Sequence, residues 1–289
     1  MDRDLWVITF DHDDELFLLN KQIESLIYYE NKLDYNIITN CTDHNKILEK
    51  MSDLGILGSL ESAPFNYNIF SQTDFLSEKE INDQGYINQQ LLKTQVYKKS
   101  NTNTHIILDC KNIILDSEIL ENLGPKVLLT RPHVFLGCYE YFTRLWHKGK
   151  QLPLRGASTP FIFEKSLLIE LENYFESRQD FIKHFKRKYS ITKKSTFKIM
   201  NEQNIPIRSV ANCISEFYMY SLFEQKIRKN VSNTLDNNPR VLFQNSRKID
   251  ENLSYSKYNI LAFHRKIVKK LGQEKSNQLI DYFLYKKWS

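Results

Sequence analysis

Several common nucleotide-handling and hydrolytic signatures are missing from this chain of 289 residues. It has no G-x-x-x-x-G-K-S/T loop, which argues against a P-loop enzyme, and no G-x-G-x-x-G turn of the dinucleotide-binding type. The absence of a G-x-S-x-G elbow, with no cysteine in a local signature that pairs it with a histidine, disfavours serine and cysteine hydrolases. Cys41, Cys110, Cys138 and Cys213 lie far apart without C-x-x-C spacing. That argues against a zinc ribbon and a disulfide framework, and it points to a reducing, cytoplasmic setting. No stretch approaches the ~18 apolar residues of a membrane span, and Met1-Asp2-Arg3-Asp4 enters an apolar segment without a basic or apolar leader. A soluble protein is expected.

The charge balance is also narrow, with 40 basic residues against 35 acidic ones. The excess sits near Lys183 to Lys198 and in the last thirty residues. Such runs are ordinarily solvated faces, with phosphate-rich ligands or peripheral contact with an anionic membrane surface as the other readings. No nucleic-acid motif accompanies them. Specific nucleic-acid binding, through the basic and aromatic stretch from Phe181 to Phe197, therefore ranks last.

What is present has the order of an α/β fold. Leu5 to Phe10 is a buried-strand run that stops at Asp11-His12-Asp13-Asp14, and Leu19, Ile23, Leu26 and Ile27 then recur at helical spacing. Asp13 or Asp14 is expected to cap that helix. Tyr35 to Asn40 is a second strand, which makes a βαβ unit and predicts a mostly parallel sheet with ligands at the carboxyl ends of its strands. Asn66 to Phe70 and Thr104 to Leu108 are further strands, separated by a helix over Asn88 to Tyr97. Asn112 to Leu115 resumes an extended pattern, so Asp109-Cys110-Lys111 falls at a break on the ligand edge. The glycines and prolines between Pro125 and Pro160 predict loops and short strands. Helices follow from about Glu164 to Ser177 and from Ser215-Glu216, and a strand entering His264 leads to two amphipathic C-terminal helices. Without repeats or a low-complexity linker, one continuous domain over 1–289 is expected.

A strand-end carboxylate such as Asp109 is suited to a divalent cation, and departing phosphates require cations from a metal, Lys or Arg. By residues alone, Asp109 equally starts a turn, and Gln90 and Lys93 equally sit on a solvated helix face. Taken in order, Val7-Ile8-Thr9-Phe10-Asp11, Gly85-Tyr86-x-x-Gln89-Gln90-Leu91-Leu92-Lys93 and Ile106-Ile107-Leu108-Asp109-Cys110-Lys111 resemble the nucleotide-binding half of GT-A glycosyltransferases. More narrowly they resemble a bacterial and viral group of polysaccharide-type glycosyltransferases. The likeness continues through Thr159-Pro160-Phe161-Ile162-Phe163, Ser215-Glu216-Phe217-x-x-Tyr220 and Phe263-His264-Arg265.

That resemblance implies a GT-A-like, mostly parallel sheet with a helical C-terminal extension, residues 1–124 binding the nucleotide-sugar and 125–289 the acceptor. It implies transfer of a sugar from a nucleotide-sugar donor to a glycan acceptor, in surface polysaccharide synthesis. Thr9, Asp11, Gln90, Lys93, Asp109, Lys111 and Gly156 are the implied donor-binding residues, Glu216 the implied general base, and Asp109 with His264 the implied holders of Mn2+ or Mg2+. The Asp-x-Asp pattern is degenerate, because Lys111 stands where the second carboxylate is expected. Three consequences stay open: Lys111 binds the diphosphate without a metal, Lys111 points away from a metal held by fewer ligands, or transfer is lost and a nucleotide- or glycan-binding fold remains. Plainer roles compete at each position: a surface turn at Gly156, a helix cap at Ser215 and Glu216, a core or surface residue at His264. Tyr139, Tyr141, Trp146 and His147 are candidates for an aromatic acceptor platform.

Overall fold

A computed structural model describes residues 3–116, 118–123, 135–150, 152, 159–189, 212–228, 241–244 and 258–285. The chain runs β1 (Arg3–Thr9), α1 (Asp13–Tyr28), β2 (Asp34–Thr39), α2 (His44–Asp53), α3 (Ile56–Glu61), β3 (Tyr67–Ser71) and α4 (Gly85–Gln95). It continues with β4 (Thr104–Leu108), β5 (Asn112–Ile114), α5 (Glu118–Asn122), α6 (Leu136–His147), β6 (Phe161–Glu164), α7 (Lys165–Asn173) and α8 (Arg178–Lys186). The last described elements are α9 (Glu216–Arg228), β7 (Val241–Gln244), β8 (Ile260–Phe263), α10 (Arg265–Leu271) and α11 (Gln273–Tyr285).

The expected α/β architecture is present: a sheet of order β3-β2-β1-β4-β6 is parallel throughout except for the antiparallel β4–β6 pair, with helices on both faces. Its apolar runs follow from burial on both sides. Leu5 and Val7 of β1 join one apolar cluster with α1, α10 and α11, while Trp6 and Ile8 join another with α4, α6, α7, α8 and α9. The same alternation recurs in β4, where Ile106 and Leu108 face the first cluster and Ile107 the second. From β1 the chain adds β2 and β3 on one side, then crosses to place β4 on the other. That reversal opens a crevice outside the carboxyl ends of β1 and β4, the position where open α/β sheets bind ligands. A smaller sheet, β5-β8-β7, joins the C-terminal strand to the turn after β4, with Asn112 opposite Ala262.

Three sequence expectations need correction. Asp13 and Asp14 lie inside the first turn of α1 rather than at its cap, which is His12. Their charges still favour the helix amino end. The glycine- and proline-punctuated middle contains the twelve-residue helix α6. Gly137, read as a loop signal, is there because α6 runs against the backbone of Tyr189: an added Cβ would meet the Tyr189 carbonyl oxygen at 2.5 Å. Helix propensity alone would make Gly137→Ala stabilising by roughly 1 kcal/mol. We expect the opposite sign, a loss of about 1–3 kcal/mol from forced backbone displacement. Equilibrium urea unfolding checks it, and unchanged or raised stability would refute the close-approach account.

The third correction concerns the aromatic platform. Tyr139 and Trp146 are buried in the second cluster, Tyr141 packs against it, and His147 Nε2 bonds the Leu222 carbonyl at 2.8 Å. Trp146 and His147, read as part of a sugar-binding loop, instead pack α6 against α9.

Candidate functional site

The turn after β4 is tied down by buried polar side chains. Asn112 Oδ1 accepts from the Asp109 amide at 2.8 Å, and Gln22 of α1 donates to the carbonyls of Asp109 at 2.9 Å and Asn112 at 2.7 Å. Tyr35 of β2 holds Gln22 by donating to its Oε1 at 2.6 Å. These bonds fix where the Asp109 side chain can point. Neither Gln22 nor Asn112 was singled out in the sequence, where each is one amide in a helix or strand pattern.

Above that turn lies a cleft of about 510 Å³ at the crevice. Phe10 and His12 after β1, Gln89, Gln90 and Lys93 of α4, Asp109 and Lys111 after β4, Glu216 of α9, and His264 and Arg265 at the start of α10 contribute to its wall. Five of the predicted residues (Gln90, Lys93, Asp109, Lys111 and Glu216) and His264 are therefore brought together. Thr9 is fully buried, its hydroxyl directed at the Phe10 carbonyl, and so cannot reach a ligand in the cleft. Asp11 does not line the cleft and pairs with Lys50 of α2 at 2.5 Å. Gly156 lies outside the described residues.

Lys93 is the hub of the site. It is 3% exposed, and its ammonium lies 3.3 Å from Asp109 Oδ1 and 3.1 Å from Glu216 Oε1. The other Asp109 oxygen meets Lys111 at 2.5 Å and accepts from the Thr159 hydroxyl at 2.9 Å. The Gln90 side-chain amide abuts both Glu216 oxygens and donates to them once its nitrogen is turned toward them. Ser215 Oγ accepts from the Tyr218 amide at 3.3 Å, so Ser215 caps α9 while Glu216 turns inward.

The charges follow from these contacts. Burial works against the Asp109 carboxylate, yet Lys111 and Lys93 hold it well below the usual range. Burial likewise opposes the Lys93 charge, but Asp109 and Glu216 together push it above an ordinary lysine. Glu216 goes the other way: burial raises it, Lys93 opposes, and neighbouring Asp109 raises it further. Two carboxylates a few ångströms apart thus have opposite displacements, the pattern that separates acid–base roles in one cleft.

Arg265 reaches Glu15 of α1 at 3.8 Å, and Glu15 is raised chiefly by burial. Sequence reading missed Glu15 because it looks like any first-turn carboxylate. His264 Nδ1 accepts from the Lys266 amide at 3.1 Å and caps α10. Burial, then Lys111, Lys266 and Arg265, lower its pKa. Phe10 and His12 stack with centroids 6.1 Å apart, and Gly85 leaves room for the Phe10 ring, whose nearest atom would lie 2.9 Å from an added Cβ.

This donor set does not fit a divalent cation. A hard metal ion takes several anionic or carbonyl oxygens. Here both oxygens of Asp109 are engaged by two ammonium groups and a hydroxyl, and the His264 imidazole is flanked by three cations. No group of three His, Cys, Asp or Glu residues suited to a metal occurs among the described residues. No helix among them is long and apolar enough to cross a membrane.

No protein-family model and no curated protein sequence matches this chain. Among solved structures, the galactosyltransferase LgtC in complex with donor and acceptor sugar analogues is similar over 96% of this chain and 95% of its own, at 8% identity and a TM-score of 0.45. TarS of S. aureus is similar over 62% of this chain and 31% of its own, at 14% identity and a TM-score of 0.33. For the glycosyltransferase GlyE of Streptococcus pneumoniae the values are 79%, 64%, 12% and 0.33. The chain thus spans under a third of TarS and just under two thirds of GlyE.

Proposed function

We propose that this chain is a glycosyltransferase that moves a sugar from a nucleoside diphosphate to a glycan hydroxyl without a metal ion. The reading rests on one observation: at the switch point of the sheet, a cleft combines the cations Lys111 and Arg265 with a buried carboxylate, Glu216, whose proton affinity is raised. The bond from the sugar's anomeric carbon to the phosphate oxygen breaks as a bond to the acceptor oxygen forms. Negative charge then grows on the departing diphosphate, and Lys111 and Arg265 are placed to offset it. Glu216 takes the proton of the acceptor hydroxyl. Lys93 and Gln90 orient Glu216, while Asp109 holds Lys111 in the cleft. We further propose a cytoplasmic role in surface polysaccharide synthesis, with peripheral membrane contact through basic surface residues.

A second reading, an inactive nucleotide- or glycan-binding protein on this fold, draws on the burial of Glu216, which is 1% exposed and tied to Lys93. Ligand titration separates the two. A uridine, guanosine or cytidine diphosphate at about 100 times its Kd is expected to add ~2.7 kcal/mol of stability. For a chain of this size that is a rise in Tm of roughly 5–10 °C. EDTA should change neither the shift nor the release of nucleoside diphosphate from a nucleotide-sugar panel. Binding without turnover supports the inactive reading, and no shift with any nucleoside diphosphate removes the transferase and the nucleotide-binding form of the second reading.

A further inference from the structure

A second cavity, of about 770 Å³, shares no lining residue with the cleft. Tyr141 and Leu145 of α6, Tyr174 and Phe175 after α7, and the length of α8 form it. Its chemistry is mixed. Aromatic rings supply apolar walls, and Tyr174 is 41% exposed. Lys183, Lys186 and Arg187 supply cations, with the Arg187 guanidinium 4.3 Å from the Tyr141 ring centre. Glu176 and Asp180 supply carboxylates in the same wall.

His184, only 8% exposed, also belongs to this wall and sits among the rings of Phe175, Tyr141 and Phe142 at centroid distances of 4.7, 5.7 and 5.9 Å. Its Nδ1 is buried with no hydrogen-bond partner among the described residues. Native folds leave few such atoms unpaired. A histidine chosen only to fill an aromatic cluster would be better replaced by phenylalanine.

Each simple class of ligand fails against part of this wall. An apolar molecule would leave three cations and two carboxylates unused, and a bare phosphate would be repelled by Glu176 and Asp180. A sugar bearing an acidic group meets all three surfaces. Its apolar face packs on aromatic rings, its hydroxyls donate to the carboxylates and its anion pairs with the cations in charge-assisted bonds. The volume lies within the range of small-ligand sites. We propose that this cavity is a binding site for an anionic saccharide, carrying phosphate or carboxylate, distinct from the cleft.

The test is calorimetric titration of the full chain with glucose 6-phosphate, glucuronate, glucose and inorganic phosphate, and co-sedimentation with phosphatidylglycerol vesicles. Both acidic sugars should bind at least tenfold more tightly than glucose or phosphate. Lys183→Ser/Lys186→Ser/Arg187→Ser, at exposed positions, should weaken that binding about tenfold with Tm unchanged, and Tyr174→Ala, which also loses ring contacts with Trp146 and Phe223, should weaken it as much. Asp109→Asn, in the cleft, should leave it intact. The proposal fails if the acidic sugars do not bind, if these variants bind them normally, if Asp109→Asn abolishes binding, or if only vesicles are bound.

Discussion

Lys93→Met is expected to lower the unfolding free energy by about 3–5 kcal/mol, the usual loss when one partner of a buried charge pair is removed. For a chain of this length that corresponds to a fall in Tm of roughly 6–20 °C. The reason is specific to the geometry. Among the described residues, Lys93 is the one ammonium that bridges Asp109 and Glu216, at 3.3 and 3.1 Å. Asp109 would keep Lys111 and Thr159, whereas Glu216, 1% exposed, would keep only the Gln90 amide and its place at the start of α9.

The same variant has a pH signature. Burial already raises Glu216, and loss of Lys93 removes the main opposing influence. Between the unfolded carboxylate value of about 4.3 and the raised folded one, the native state binds a proton that the unfolded chain does not. Stability contributed by Glu216 is therefore present at low pH and lost as pH rises through the folded value. The deficit of Lys93→Met should accordingly be smaller at pH 5 than at pH 8. Asp109 has the opposite sign, since a depressed carboxylate stabilises above its unfolded value and loses that contribution as pH falls. Urea unfolding of both proteins across this range is the measurement. A deficit that is constant with pH would mean that Glu216 does not depend on Lys93 for its charge.

How far such a network can be read in advance differs by residue. β1, β2 and β4 were legible because strands buried on both faces show as unbroken apolar runs. Asp109 was legible as the carboxylate that ends such a run, although by residues alone a plain turn start was an equal reading. Gln90 and Lys93 were singled out through the resemblance carried by Gly85 to Lys93, but their direction was not legible. Their partner Glu216 is remote in the chain, and only the packing of α9 on α4 shows that the lysine faces inward rather than toward a donor. Thr9 failed for a related reason: the last residue of a central strand can be enclosed by its neighbours even where the next residue opens into the cleft. Helix α6 failed because glycine has two meanings, and at Gly137 it marks a close approach between backbones instead of a turn. His264 and Arg265 illustrate a third case, in which the cap of α10 and the cleft wall are the same residues, so a structural and a chemical role need not exclude each other.

Glu216→Gln carries the catalytic part of the reading. The substitution keeps shape and leaves Lys93 paired with Asp109, so the fold and nucleoside diphosphate affinity should be retained. An amide cannot accept the acceptor's proton, and positioned general bases contribute about 10²–10⁴-fold. Turnover of a nucleotide-sugar should fall by that factor, with a much smaller change in KM for the donor. The pH profile supplies the more selective evidence. A base must be ionised to act, so wild-type kcat/KM should rise with pH through a value above that of an ordinary glutamate, in the direction that burial displaces Glu216. In Glu216→Gln that limb should vanish. Lys111→Met should act differently, weakening donor and nucleoside diphosphate binding because it removes a cation facing the cleft rather than the proton acceptor. If Glu216→Gln turned over donor at the wild-type rate, the carboxylate would be a structural counter-ion of Lys93, and the base would have to be sought in another group of the same cleft, with Glu15 the other carboxylate there whose proton affinity is raised.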